Sequence, residues 1–213
     1  MKYRYVIWDY NGTIIDDAWV AVKAENIVLK EHDLPEIDME FYLRECEMPI
    51  ENFYNKIYDF SVCDFSEVAA SFMKNYDMIA PQAKPFKEVV GAIKRFSDMG
   101  IRQGVISGFE TSRLTSSLKA FGLDGYFDFM SGSDDTSCGS KSERAAAVVK
   151  RCGYDPKQTL FIGDMYHDYE TAQRVGADCV LIAKGHQGGD VLRAYNTVPV
   201  YDSADKLLEK LTL

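Results

Sequence analysis

Two textures alternate along the chain. From Tyr3 to Trp8 a run of β-forming residues reads as a buried strand, and it breaks off into Asp9-Tyr10-Asn11-Gly12-Thr13, an acid followed by turn residues. From Ala18 to about Ile79 the spacing is helical instead. Val20, Ala24, Ile27 and Val28 form one stripe, Ile50, Phe53, Tyr54 and Ile57 a second, and Phe65, Val68, Phe72, Tyr76 and Ile79 a third. Asp64 with Glu67 three residues on resembles a capping box for the last of these. No strand pattern interrupts the region. It reads as a small helical bundle inserted after the first strand, with the aromatic stripes as its core.

Past Pro81 and Pro85 strands return. Pro85 suits the first turn of a helix running to Met99, with Val89, Val90, Ile93 and Phe96 inward. Ile101 to Ser107 is the next strand, Thr111 to Phe121 the next helix, and a short strand is expected near Tyr126–Met130. Ser131 to Gly139 carries no apolar pattern and reads as a mobile loop. Ser140 with Glu143 caps a helix whose inner face is expected to be Ala146, Ala147 and Val149. A strand from Thr159 to Ile162 ends in Gly163-Asp164, and a helix from about Asp168 to Val175 leads to the strand Cys179–Ile182. After the glycine-rich loop Ala183–Gly189 come a short helix, a strand at Val198–Tyr201 and a final helix, Ala204–Leu211. Strands alternating with helices of this length predict an α/β fold: a doubly wound, Rossmann-like parallel sheet with a small helical domain inserted. The expected division is residues 1–15 and 84–213 for the α/β core and 16–83 for the helical insert.

Composition narrows the function. With 213 residues, 46% of them hydrophobic and 27% charged, the chain has the make-up of a soluble globular protein and no apolar run for a membrane. The first strand starts almost at once, so no signal or transit peptide is expected. Five cysteines at 46, 63, 138, 152 and 179 form no Cys-x-x-Cys pair, which suits reduced thiols in a cytoplasm. The net charge of −9 repels nucleic acid and acidic membranes. A phosphorylated partner would therefore need local positive charge or a metal.

Four polar features fall at strand ends or helix starts on one edge of the expected sheet, where open α/β folds bind ligands: Asp9, Ser107, Lys141, and Asp164 with Asp168. Each has an ordinary structural explanation. Ser107-Gly108 turns the chain into a helix, the two acids are good helix caps, and Lys141 is one of 24 Lys and Arg residues. Lys141, however, stands in the first turn of its helix, where the macrodipole disfavours a cation. Acids converging on one edge would repel unless a cation lay between them, and an all-oxygen set suits Mg²⁺.

Asp9-Tyr10-Asn11-Gly12-Thr13, Ser107, Lys141 and Gly163-Asp164-Met165-Tyr166-His167-Asp168 resemble, in order, the four motifs of the haloacid dehalogenase superfamily. The helical insert between the first two resembles that family's cap domain, as in phosphoglycolate phosphatases. The resemblance covers the α/β part of the chain and implies a phosphatase acting on a small phosphorylated metabolite. It implies Asp9 as the nucleophile that becomes an aspartyl-phosphate. It also implies Asp9, Asp164 and the backbone carbonyl of Asn11 as Mg²⁺ ligands, with Asp168 supporting them. Gly12, Thr13, Ser107, Gly108 and Lys141 would hold the phosphoryl group. Positioning and charge neutralisation then supply most of the catalysis.

Asn11 departs from the family. Its phosphatases carry Asp there, to protonate the leaving group and activate water; an amide does neither, and general acid–base catalysis is worth roughly 10²–10⁴-fold. Three accounts of Asn11 are open. It is a substitution introduced into an active phosphatase, or a natural branch, or the mark of a phosphate-binding protein that no longer turns over. Asp-x-Asn-Gly-Thr with a later Gly-His-Gln resembles one group of phosphoglycolate-phosphatase-like proteins. His167 and His186 are the candidates for proton transfer in its place, against the plainer reading of loop histidines bonded to nearby backbone. The paired acids disfavour dehalogenation. A receiver-type signalling domain is disfavoured too, because there the phosphorylated acid follows the third strand and no cap interrupts the first.

Overall fold

The computed structural model describes residues 2–133 and 140–211. The stretch 134–139, most of the loop expected to be mobile, lies outside the described residues. In chain order the elements begin with β1 (Tyr5–Trp8) and β2 (Ile15–Asp16). Four helices follow: α1 (Ala18–Glu31), α2 (Met39–Glu45), α3 (Ile50–Tyr54) and α4 (Phe65–Ile79). Then come β3 (Lys84–Pro85), α5 (Lys87–Asp98), β4 (Arg102–Ile106), α6 (Thr111–Ala120) and β5 (Phe129–Ser131). The chain continues through α7 (Lys141–Arg151), β6 (Thr159–Gly163), α8 (Tyr166–Val175) and β7 (Asp178–Ile182). It closes with α9 (Gly189–Ala194), β8 (Val200–Tyr201) and α10 (Ala204–Leu211).

Six strands form one parallel sheet in the order β5-β4-β1-β6-β7-β8, flanked by helices, the doubly wound α/β arrangement expected from the sequence. The central strand shows why. Val6 and Trp8 point into a core with Val89, Ile93, Phe96, Leu114 and Leu118, whereas Ile7 points into the opposite core with Val148, Phe161 and Leu181. A strand covered on both faces must be apolar at every position, which is how a parallel sheet differs from an amphipathic one. The buried polar side chain of Gln103 accepts from the Trp8 indole N–H at 2.9 Å and donates to the carbonyl of Ile93 at 2.9 Å. Gly104 in β4 is required by packing, since a Cβ there would enter the ring of Phe129.

The chain enters and leaves the helical insert through one ribbon, β2 against β3, with Ile15 opposite Pro85 and Asp16 opposite Lys84. Pro85 is therefore in a strand rather than in the first turn of α5. It needs no donor of its own, and Phe86 N–H completes the ribbon by donating to the carbonyl of Ile14 at 3.0 Å. The inner face of α7 also differs from expectation: Ala145, Val148 and Val149 are buried with Arg144, rather than Ala146 and Ala147. The strand expected near Tyr126–Met130 is β5, Phe129–Ser131, pushed later by a 3₁₀ turn at Asp124–Tyr126. Helices α1 to α4 pack around their own core of Val28, Leu29, Tyr42, Phe53, Tyr54 and Val68. Among the described residues no helix is long and apolar enough to cross a membrane.

Candidate active site

The central strand delivers Asp9 to the carboxyl edge of the sheet, its backbone N–H fixed to the carbonyl of Ile162 at 2.8 Å. Its carboxylate accepts from the ammonium of Lys141, which also donates to Asp168 at 2.6 Å. Lys141 is the first residue of α7, a position the helix dipole disfavours, and these two carboxylates supply the compensation. Burial alone would lower the affinity of Lys141 for its proton, but Asp168 and Asp9 more than reverse this and the net shift is upward.

Asp164 follows β6 and is fully buried. One of its oxygens accepts from the hydroxyl of Thr13 at 2.6 Å and the other from the backbone N–H of His186 at 2.7 Å. Asp168, in the first turn of α8, caps the preceding loop as well as binding Lys141. Its second oxygen accepts from the N–H groups of Asp164 at 3.1 Å and Met165 at 3.0 Å. Both accounts of that acid thus hold together. Gly12 takes a positive φ of 70°, and a Cβ there would run into the Asp164 carboxylate, so glycine is the residue the turn accepts.

Oxygens of Asp9, Asp164 and Asp168 lie within 4.8 Å of one another. Burial raises the pKa of both Asp9 and Asp164; neighbouring acids push the same way, while Lys141 at Asp9 and His186 at Asp164 oppose. Lys141 bonds two of these carboxylates, Asp9 and Asp168, and His186 lies beside the third. The donor set is all oxygen and anionic in excess, which fits a hard divalent cation such as Mg²⁺.

A second cluster lies beside the first, around Asn11. The amide of Asn11 donates to Asp17 at 2.7 Å and to the hydroxyl of Tyr76 at 3.1 Å, and its oxygen accepts from Ser107 at 3.3 Å. Asp17 opens the helical insert and is 1% exposed. It accepts from Gly12 N–H at 2.7 Å, from the hydroxyl of Tyr76, and from His186 Nε2 at 3.2 Å. The other ring nitrogen of His186 meets the hydroxyl of Tyr42 at 2.8 Å. Burial works against the Asp17 charge, but His186 beside it and the hydrogen bonds from Tyr76 and Asn11 hold its pKa below the ordinary value. Burial would lower the pKa of His186; Asp17 overrides this and raises it to about 9.

Asp9, Asn11, Gly12, Thr13, Lys141, Asp164 and Asp168 therefore stand at this edge, with Ser107 and Gly108 following β4. His167 does not. It faces Glu170 at 3.3 Å on the outer side of α8. Sequence reasoning missed Asp17, Tyr42 and Tyr76. Tyr42 and Tyr76 lie inside the stretch of helical spacing, which gives their hydroxyls no role; the signal available for Asp17 is an acid at the start of the expected insert. A cavity of about 640 Å³ opens on Asn11, Asp17 and His186 from between the insert and the core, walled by Phe72, Tyr76 and Phe109.

A family model described as a haloacid dehalogenase-like hydrolase matches residues 6–182. The chain is 25% identical to the probable phosphatase IndB of Dickeya dadantii, over 95% of this chain and 91% of that one. It is likewise 25% identical to a phosphoglycolate phosphatase of Aquifex aeolicus, covering 86% of each. A solved haloacid dehalogenase-like hydrolase from Streptococcus pneumoniae superposes with a TM-score of 0.85 over 99% of both chains at 18% identity, a likeness of fold.

Proposed function

The chain belongs to the haloacid dehalogenase-like hydrolases, and from that premise we propose that it is a Mg²⁺-dependent phosphatase acting on a small phosphorylated metabolite through an aspartyl-phosphate on Asp9. The observation that supports this best is the position of Asp9 itself. It sits at the carboxyl end of the central strand, bonded to Lys141 and grouped with Asp164 and Asp168. Two curated relatives named as phosphatases point the same way.

On this reading the Asp9 carboxylate attacks phosphorus while Lys141 holds that carboxylate and the transferring oxygens. Ser107, Gly108, Gly12 and Thr13 line the phosphoryl position, with the Ser107 hydroxyl as donor. A bound Mg²⁺ would be held by Asp9, Asp164 and the carbonyl of Asn11, with Asp168 in support, and would offset charge on the phosphate oxygens. The Asn11 side chain neither gives nor takes a proton, so hydrolysis of the aspartyl-phosphate is the slow step. Residues 16–83 act as a cap over a core of 1–15 and 84–213, closing about the β2–β3 ribbon to exclude water. The free cysteines Cys46, Cys63, Cys152 and Cys179 support a cytoplasmic setting.

The test is phosphate release from a panel of phosphorylated metabolites with Mg²⁺, alongside calorimetric Mg²⁺ binding. Release that requires Mg²⁺ and Asp9, with binding lost in Asp164→Ala, is the expected result. Binding of phosphate and Mg²⁺ without release, in both the natural form and Asn11→Asp, would replace the phosphatase with a phosphate-binding protein.

A further inference from the structure

The cavity beyond Asn11 has a one-sided chemistry. Phe72 and Tyr76 from α4 lie with ring centroids 5.9 Å apart, and Tyr76 meets Phe109 edge-on at 6.3 Å, so three rings make a continuous wall. Met73, 40% exposed, and Ala21 extend it. At about 640 Å³ the space is of the size that encloses a small ligand, and its surface suits a flat apolar group.

Its cations are already engaged. The two terminal nitrogens of Arg113 grip both carboxylate oxygens of Asp77, the second at 2.8 Å, and its Nε lies 3.2 Å from Glu110. His186 is paired with Asp17. A substrate bearing a carboxylate or a second phosphate would have to strip acids from Arg113, and would meet Asp17 and Glu110 as like charges. Among the described residues of the cavity no cation stands apart from a carboxylate.

Asn11 adds an independent constraint. A leaving group that departs without an acid must be a weak base, as a phenoxide is, with a pKa of about 10 for its conjugate acid; an aliphatic alkoxide is far more basic. We propose that the substrates are aryl phosphomonoesters with an uncharged aromatic leaving group, bound with the ring against Phe72, Tyr76 and Phe109. This rests on the phosphatase reading above and names the substrate class for that site. An oxygen of Asp9 forms the bond to phosphorus. The phosphorus–aryloxide bond breaks with its electron pair on the aryloxide, which takes a proton from solvent. Water then forms a new bond to phosphorus, the Asp9 carboxylate is released, and the water's proton leaves to solvent. One ester and one water give a phenol and inorganic phosphate.

The experiment compares kcat/KM for phenyl phosphate, benzyl phosphate, phosphoglycolate and pyrophosphate with Mg²⁺, and measures calorimetric affinity for benzylphosphonate against phosphonoacetate. Phenyl phosphate is expected to lead phosphoglycolate by roughly 10²-fold or more, with benzyl phosphate between them because it keeps the ring and loses the leaving group. Benzylphosphonate is expected to bind at least tenfold tighter than phosphonoacetate. Phe72→Ala should remove about tenfold of that affinity, a loss of the size seen for a single aromatic contact. Met73→Lys, at an exposed position, should shift the preference toward phosphoglycolate without relying on a core substitution. Phosphoglycolate or pyrophosphate turned over as well as phenyl phosphate would overturn the substrate class and leave the phosphatase standing. If no ester is hydrolysed the phosphatase reading falls, and the calorimetric ratio alone then decides whether the cavity selects an aromatic group.

Discussion

Asp9 and Asp17 lie on either side of Asn11, and their surroundings are opposite. Around Asp9 one ammonium bonds two carboxylates, Asp9 and Asp168, with the Asp164 carboxylate close by, so acidic oxygens converge with lone pairs left to give. Around Asp17, among the described residues, the hydrogen-bond partners of the carboxylate are donors: Gly12 N–H, the Asn11 amide, the Tyr76 hydroxyl and the His186 ring. The first arrangement is the one that, on the phosphatase reading proposed above, would take a cation and an electrophile. The second is satisfied, and works as scaffold. The comparison also supplies a physical reason for the amide. Asp17 needs a donor from position 11, which an ionised carboxylate there would not provide.

Exchange of acid for amide on each side breaks the comparison most strongly. Asp9→Asn should cost on the order of 10⁴-fold or more in turnover, the scale of losing a nucleophile, and should abolish acid-stable capture of the phosphorylated protein. Asp17→Asn should leave that covalent capture intact.

Another buried carboxylate, Glu25 in α1, sharpens the point because among the described residues it has no cation within ion-pair distance. It is 1% exposed, accepts from the hydroxyl of Tyr58, and burial raises its pKa from 4.5 to about 7. Below pH 4.5 folded and unfolded chains both hold this proton. As pH rises toward 7 the unfolded chain releases it first, so the stability it lends is lost through the folded pKa. Glu25→Gln should match the natural chain near pH 4.5 and exceed its stability by about 3 kcal/mol at pH 8, read by urea unfolding at both pH values.

Asn11→Asp places a carboxylate where the amide now reaches Asp17 at 2.7 Å. Two acids at that separation do not both ionise, so one proton is retained and becomes available to a leaving alcohol. The kcat/KM for alkyl phosphates should rise on the order of 10²-fold, and that for phenyl phosphate by less. An unchanged rate in paired steady-state assays would place proton transfer elsewhere. Smallest of all is His167→Ala. Its ring faces Glu170 away from the cavity, and activity should stay within about twofold, the range of an ordinary surface substitution.

Much of this was legible before the coordinates, for a local reason. The run around Val6, Ile7 and Trp8 announces a strand buried on both faces, and the residues just past it are carried to the edge by chain connectivity alone. Asp9, Ser107, Lys141 and Asp164 each sit within a residue or so of an element boundary, so placing the elements places them. Asp17, Tyr42 and Tyr76 are different. They join the site through contacts between the insert and the core, and hydrophobic spacing assigns a tyrosine to the inside of a helix without saying whether its hydroxyl meets a carboxylate. Pro85 was misplaced for the same cause, since its partner Ile15 is distant in sequence.

The place of β1 in the sheet has a consequence for the order of folding. It precedes both β4 and β6 in the chain, yet it lies between them, and its register with Leu160, Phe161 and Ile162 needs most of the chain. Such distant pairings form slowly, because a long loop must close before any contact rewards it. Helices α1 and α4 pack on each other over a far shorter span, around a core that belongs to the insert. On the ribosome the insert is ready while the strand beside it still waits for a neighbour. The strand that carries Asp9 is made before both of its neighbours and is fixed late.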